Sequence, residues 1–349
     1  MKTVTVPFFI SHQGCPHTCV FCDQRAISGA DGILPTPGEI RSRITLWRST
    51  AGGRPLEAAF FGGTFTALPE EIQSSLLEPL QPLLASGMLD AVRISTRPDY
   101  LDAARVRWLS HRGVRTIELG VQSMDDGVLA ASGRGHTSGD SLRAIRCIKE
   151  EGLKAGAQLM PGLPGDSPAL SLYSLEQVIS SGADFLRIYP TVVLRGTALA
   201  ERYAAGEFVP LSLERGISLC AQLLQRAMKA GIPVIRIGLQ ADAGLDADAM
   251  LAGCWHPALG QLVRSRLYAD LIKRVVPFGS GATLYCHPAR LSDVIGMGRS
   301  TVLALAGSGG DIPVLADAAL ALEELNVKTE ISCVTYSIIK DLNYSIHEV

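Results

Sequence analysis

Short runs of β-branched and aromatic residues alternate with segments of helical period along most of this chain, and that alternation dictates parallel strands joined by crossover helices. The strands are predicted at residues 3–11, 56–61, 91–96, 116–122, 154–160 and 185–193, with a seventh at 234–239. Amphipathic segments at 69–86, 101–112, 138–151, 169–181 and 213–230 lie between them. Several are followed by a glycine (Gly87, Gly113, Gly152, Gly182), the residue suited to a left-handed helix cap. Six clear units, with a possible seventh, fit an α/β partial (β/α)6-type TIM-like barrel better than a complete eightfold one. The alternation fades near residue 240. This divides the chain into a barrel, 1–240, and a small C-terminal α+β module, 241–349, whose role the sequence leaves open.

The chain has 349 residues, 47% of them hydrophobic, enough for a large core without covalent staples. No apolar run approaches the ~18–20 residues needed to cross a bilayer, and the N-terminus lacks the layout of a signal peptide. The expected location is therefore cytoplasmic, with no membrane partner. A net charge of −2 gives no global attraction to polyanions. Eight cysteines in such a chain argue for metal ligation rather than disulfides.

Cys15-Pro-His-Thr-Cys19-Val-Phe-Cys22 follows the first strand at its C-terminal end, where barrel enzymes place their chemistry. Three thiolates are one short of closing a cubane and would leave one iron open to a ligand. Phe21 would shield such a cluster. A structural zinc completed by His17 or His12 is the other reading of these residues.

The CxxxCxxC spacing with an aromatic before the third cysteine resembles the radical S-adenosylmethionine superfamily, and further motifs follow in the family's order. Phe60-Phe61-Gly62-Gly63-Thr64-Phe65 looks like its glycine-rich turn, whose backbone receives the methionine amino group. Glu118-Leu-Gly-Val-Gln122-Ser followed by Gly133-Arg134-Gly135-His136-Thr137 is similar both to the Elongator catalytic subunit group and to oxygen-independent coproporphyrinogen oxidase. Arg-Gly-His-Thr and Ser95-Thr96-Arg97-Pro98-Asp99 favour the Elongator side. The resemblance covers roughly residues 5–240. It implies a 4Fe-4S cluster on Cys15, Cys19 and Cys22, and S-adenosyl-L-methionine among Phe21, Gly62, Gly63, Thr64, Ser95, Glu118, Gln122, Arg134, Gln158 and Met160. Within that set Arg134 would meet the methionine carboxylate, Gln122 the ribose or carboxylate, Gln158 the ribose, and Met160 would pack near the adenine. Ser95 stands where the coproporphyrinogen group carries a glutamate.

The same resemblance implies reductive cleavage of S-adenosylmethionine to a 5'-deoxyadenosyl radical that abstracts hydrogen from substrate, with electrons from a flavodoxin- or ferredoxin-type donor. A tRNA nucleoside is the leading substrate. A small molecule or tetrapyrrole, or a cluster-binding scaffold without catalysis, are the alternatives. The acetyltransferase domain of the Elongator relatives has no counterpart in this chain's length.

No catalytic residue beyond the cofactors is identified by sequence. Arg187 and Tyr189 alternate on the sixth strand and are candidates to face substrate, as is Arg236 on the last. Gly253-Cys254-Trp255-His256-Pro257 and Tyr285-Cys286-His287-Pro288 echo one another and read as turns preceding a helix and a strand. Cys147, Cys220 and Cys333 read as small core residues. Arg41, Arg43, Arg48, Arg105, Arg107, Arg112 and Arg115 fall outside the barrel and read as a solvated face, or as a phosphate track if several converge.

Overall fold

The computed structural model describes residues 3–16, 19–23, 32–239, 249–276, 281–306 and 312–344. Seven parallel strands form a curled half-barrel: β1 (Val4–Phe9), β2 (Leu56–Phe61), β3 (Ala91–Thr96), β4 (Val114–Gln122), β5 (Lys154–Leu159), β6 (Phe185–Ile188) and, beyond the separate β7 (Val192–Leu194), β8 (Val234–Ile237). The order is β1-β2-β3-β4-β5-β6-β8, so each crossover returns to the neighbouring position and β1 and β8 are the free edges. One face of the sheet meets the helices. There Val6, Phe8, Ala58, Phe60, Val92 and Ile94 are fully or almost fully buried, with the Phe8 and Phe60 rings stacked at 5.4 Å. The other face lines the lumen.

Proline explains two departures from the expected elements. The predicted strand 185–193 ends at Ile188, because Pro190 has no N–H to continue the ladder. The chain then pairs β7 antiparallel with β9 (Met250–Gly253). The predicted helix 69–86 is broken into Glu70–Leu77, a tight turn Glu78–Leu80 and Gln81–Ala85, around Pro79 and Pro82. The other helices lie within two residues of expectation, for example Ser138–Glu150 and Leu213–Lys229.

Helix Leu259–Val275 packs on helix Leu213–Lys229, and a four-stranded sheet follows: β11 (Val314–Ala316), β10 (Thr283–Cys286), β12 (Glu324–Lys328) and β13 (Cys333–Ser337). Its Leu284 and Leu325 belong to the same continuous core as Val6 and Leu219. Tyr268, fully buried, donates its hydroxyl to the Leu322 carbonyl at 2.5 Å. Cys333 is not a core residue. It is exposed, because β13 is an edge strand. Tyr285 and Cys286 lie within β10 rather than in a turn before a strand. His256 and His287 each accept, through Nδ1, the backbone N–H two residues on, a local cap that accounts for the repeated His-Pro-Ala. Among the described residues no helix is long and apolar enough to cross a membrane.

Candidate active site

The cysteine segment is built on backbone contacts between the ends of β1 and β2. Ile10 N–H donates to Phe61 O at 2.8 Å, His12 N–H to Gly62 O at 3.1 Å, and Thr64 N–H to Gln13 O at 2.9 Å. This approach requires glycine. A methyl group at Gly63 would sit 2.5 Å from the Ile10 carbonyl and closer still to that of Gln13, and one at Gly14 would strike the Thr64 carbonyl. Gly62 adds a φ of +91°, in the region that favours glycine. The turn thereby holds the Cys15 thiol 3.5 Å from the Thr64 hydroxyl.

Past Cys19 the segment is stitched to two helices. Val20 N–H donates to Ser132 O at 3.1 Å, beyond helix Asp126–Ala131, while Val20 O accepts from Leu199 N–H at 2.8 Å, in helix Ala198–Ala204. Cys19 and Phe21 are buried in a small apolar cluster with Val128, Leu163, Leu199 and Phe208, against which Cys22 and Met160 pack. Cys15 is exposed and Cys22 half-buried. Among the described residues no three His, Cys, Asp or Glu side chains converge closely enough for one ion. His12 instead faces Asp23 at 3.9 Å, and His17 lies outside the described residues. Thiols spread along a loop suit a cubane, where each meets a different iron, better than a single zinc.

Cationic donors surround the buried thiol. Arg134 donates Nη1 to Cys19 Sγ at 3.3 Å and Nη2 to Gly120 O at 2.6 Å, while its buried Nε has no partner among the described residues. Gly120 is the neighbour that permits this, since a methyl group there would lie 3.2 Å from Arg134 Nη2. Arg97 forks onto Asp99 at 3.0 and 2.8 Å, leaving Nη1 buried and without a partner among the described residues. Burial alone would disfavour its charge, and Asp99 more than offsets this, holding its pKa above the usual range. His136 is different. Burial, helped by the Arg134 charge, pushes its pKa down to about 4, so its ring is neutral at pH 7. Nε2 lies 3.3 Å from the Val121 carbonyl and must therefore carry the proton, which leaves Nδ1 a bare buried acceptor. A cluster-bound thiolate and a carboxylate are the kinds of group that orphaned guanidinium nitrogens await. On this observation the residues fit the cluster and S-adenosylmethionine.

Gln122 closes the far side. It holds a left-handed φ of +68° where the β4–β5 register slips, a strained backbone that aims its side chain at Gln158, whose Nε2 donates to Gln122 Oε1 at 3.1 Å. Met160 begins the next loop, which half-buried Asp166 secures by accepting from Gly162 N–H at 2.7 Å and the Ser171 hydroxyl at 2.6 Å.

Deeper in the lumen runs a ladder of charge. The Thr5 hydroxyl donates to Glu57 at 2.7 Å; Arg93 bridges Glu57 and Glu118, each at 2.8 Å; and Arg187 Nε lies 2.6 Å from Glu118. Arg187 also donates to the Tyr189 hydroxyl at 2.9 Å, and its guanidinium stands 5.5 Å from the Phe61 ring. Glu118 is thus engaged with two arginines, while Ser95 is its register neighbour on β3. Burial works against the Arg187 charge, and Glu118 and Tyr189 outweigh it.

Sequence reasoning did not single out Arg97, His136, Arg93 or Glu57 as site residues. The first two lie inside the motifs above, Arg97 just past β3 and His136 in the loop before helix Ser138–Glu150, and their buried nitrogens appear only once those segments are brought near Cys19. Arg93 and Glu57 are single charges in otherwise uncharged strands, a signal that could have found them. The outer arginines do not converge on the site. Arg48 pairs with Asp90, Arg105 with Glu70 and Arg107 with Glu151; Arg105 and Arg112 both stand over the Trp108 ring, and Arg43 and Arg115 donate to backbone carbonyls.

Two family models match: the radical SAM superfamily over residues 9–170 and the radical SAM C-terminal domain over 183–269. A tRNA uridine(34) acetyltransferase of Methanocaldococcus infernus is 29% identical over 71% of this chain and 53% of its own length. Elongator complex protein 3 of Homo sapiens is 30% identical over 48% of this chain and 35% of its own. The solved structure of archaeal Methanocaldococcus infernus Elp3 superposes with a TM-score of 0.59 at 26% identity, covering 76% of this chain and 62% of that one. The chain spans about half the length, or less, of these curated relatives. With matching family models across most of the half-barrel and a shared fold, the chain belongs to the radical S-adenosylmethionine superfamily of enzymes.

Proposed function

We propose that Cys15, Cys19 and Cys22 hold a 4Fe-4S cluster, that S-adenosyl-L-methionine binds between it and the lumen, and that the substrate is a tRNA nucleoside. The observation that carries the cofactor reading is Arg134, anchored on Gly120 O and Cys19 Sγ with its buried Nε still unpartnered. Bound together, the cluster and S-adenosylmethionine supply one-electron cleavage of the sulfonium, and with it a 5'-deoxyadenosyl radical able to take hydrogen from substrate.

The residues of the chain position and shield this chemistry. Arg134 offers a planar donor to the methionine carboxylate next to Cys19. The exposed backbone at Gly62 and Gly63 suits the amino group, with Thr64 fixing Cys15. Gln122 and Gln158, already paired, are placed for the ribose hydroxyls, while Met160 and Phe21 keep water from the adenine side and from Cys19. Glu118 holds Arg93 and Arg187 in the lumen, and so acts on substrate through them and Tyr189 rather than on the cofactor directly. The RNA substrate is supported by the relatives whose names specify tRNA uridine 34. The division at residue 240, an external flavodoxin- or ferredoxin-type reductant and a cytoplasmic location belong to the same reading.

Anaerobic reconstitution with iron and sulfide, followed by dithionite and S-adenosylmethionine, tests it. The native protein is expected to take up about four irons and release 5'-deoxyadenosine, and Cys19→Ala to do neither. A native protein that binds zinc but builds no cluster would sink the proposal.

A further inference from the structure

The last strand of the half-barrel contains a one-residue slip. Leu186 pairs with Val234 and Ile188 with Ile237, yet Arg187 pairs with Arg236, so Ile235 is the extra residue. Strict alternation from Val234 would send Ile235 into the lumen and Arg236 to the helix side. The slip reverses this. Val234 and Ile237 both pack on the core, Ile235 is left 47% exposed, and Arg236 stands beside Arg187 on the lumen face. Bulges at barrel rims and beside active sites commonly re-aim a side chain in this way.

Among the described residues Arg236 is also surplus in charge. In the ladder the carboxylates of Glu57 and Glu118 are matched by Arg93 and Arg187, one for one. Arg236 is half-buried and, among the described residues, its side chain enters no hydrogen bond, ion pair or ring contact. A partly desolvated guanidinium without a counter-ion costs free energy that an anionic ligand would offset. The outer arginines differ, since nearly all are already engaged. β8 is also an edge strand of the sheet, so the half-barrel is not closed on this side by a further strand of that sheet.

We propose that Arg236 anchors substrate by taking a backbone phosphate of the RNA beside the nucleoside held in the lumen. This rests on the tRNA reading above. A planar fork suits a phosphodiester, and a contact at the β8 edge would set which nucleotide reaches the half-barrel.

The test is equilibrium binding of tRNA to the reconstituted protein over a salt series of about 50 to 200 mM. Arg236→Gln is expected to bind ~5- to 10-fold more weakly at low salt, with a log–log slope shallower by about one phosphate contact. Arg236→Lys should keep the slope. Arg41→Gln, which changes an exposed arginine on helix Pro37–Thr50, should alter neither quantity. An unchanged slope in a folded Arg236→Gln variant would overturn the assignment and leave the RNA reading standing, whereas failure of the native protein to bind tRNA would remove both. If the variant does not fold, phenylglyoxal labelling of the native protein gives the same decision: tRNA should protect the peptide containing Arg236, and full labelling in its presence would overturn the role.

Discussion

The two sides of the half-barrel are built by opposite means. Where β1 and β2 end the site is backbone: Gly14, Gly62 and Gly63 let two chain segments touch beside the thiols and Thr64. Deeper in the lumen it is side chain: Glu57, Arg93, Glu118 and Arg187 reach across from β2, β3, β4 and β6, and Tyr189 joins them just past β6. The first arrangement suits the proposed cluster, which must sit in one place. The second forms a charged wall whose composition can change with substrate while the strands stay where they are, which is how one barrel serves many reactions.

The backbone side should be the less forgiving. Gly63→Ala, with a methyl group forced on two carbonyls that cannot move without opening the β1–β2 turn, is expected to cost about 4 kcal/mol or abolish folding. Gly52→Ala, at a φ of +60° with nothing within 4 Å, should cost only ~1–2 kcal/mol. Urea unfolding of the two variants separates steric lock from turn preference, and equal losses would break the contrast. On the other side, Glu118→Gln leaves Arg93 and Arg187 without their shared carboxylate and is expected to cost about 3 kcal/mol. The Glu118→Gln/Arg187→Gln double variant should recover part of that loss, which a double-mutant cycle would measure.

The same division governs what the sequence revealed. Cys15, Cys19 and Cys22 and the Gly62-Gly63-Thr64 turn are local motifs, readable because their chemistry and spacing lie within a few residues. The strand set was readable because each βα unit is local, and it failed only at Pro190 and at Pro79 and Pro82, where one missing N–H outweighs hydrophobic pattern. The charged ladder was not readable, because register alone decides that Arg93 meets Glu57 and Glu118. Arg187 and Tyr189 were marked by alternation, but their tie to Glu118 was not. Gln122 and Arg236 were named as candidates from sequence, but the register slips that aim them have no signal in composition.

Between the two sides lies His136, and its titration offers a subtler test. Its pKa in the fold is about 4, against an ordinary value of 6.5. Between those values the unfolded chain takes a proton that the fold refuses, so the stability this ring contributes is full above pH 6.5 and falls as the pH drops towards 4. The loss should reach roughly 2 kcal/mol by about pH 5. His136→Gln keeps a donor for Val121 O and removes the titration, so its stability should vary less between pH 7 and 5 in chemical denaturation. Parallel curves for the two proteins would mean that the ring is already hydrated and charged in the fold.

The smallest effect is expected outside the barrel. Arg107 and Glu151 lie 3.1 Å apart, with the arginine side chain 58% exposed, and water screens such a pair almost completely. Glu151→Gln should shift stability by less than about 0.5 kcal/mol, and a coupling energy from the Arg107/Glu151 cycle should be near the error of the measurement. The Glu118 cycle differs because its charges were taken out of water when the strands closed around them, so each depends on the other for what solvent no longer supplies. If the outer pair coupled as strongly as the inner one, exposure would not be what separates them, and the outer arginines would have to be reconsidered as part of the proposed RNA contact. If it does not, the lumen is where charge is held for a purpose, and Arg236 is the cation there that has no partner among the described residues.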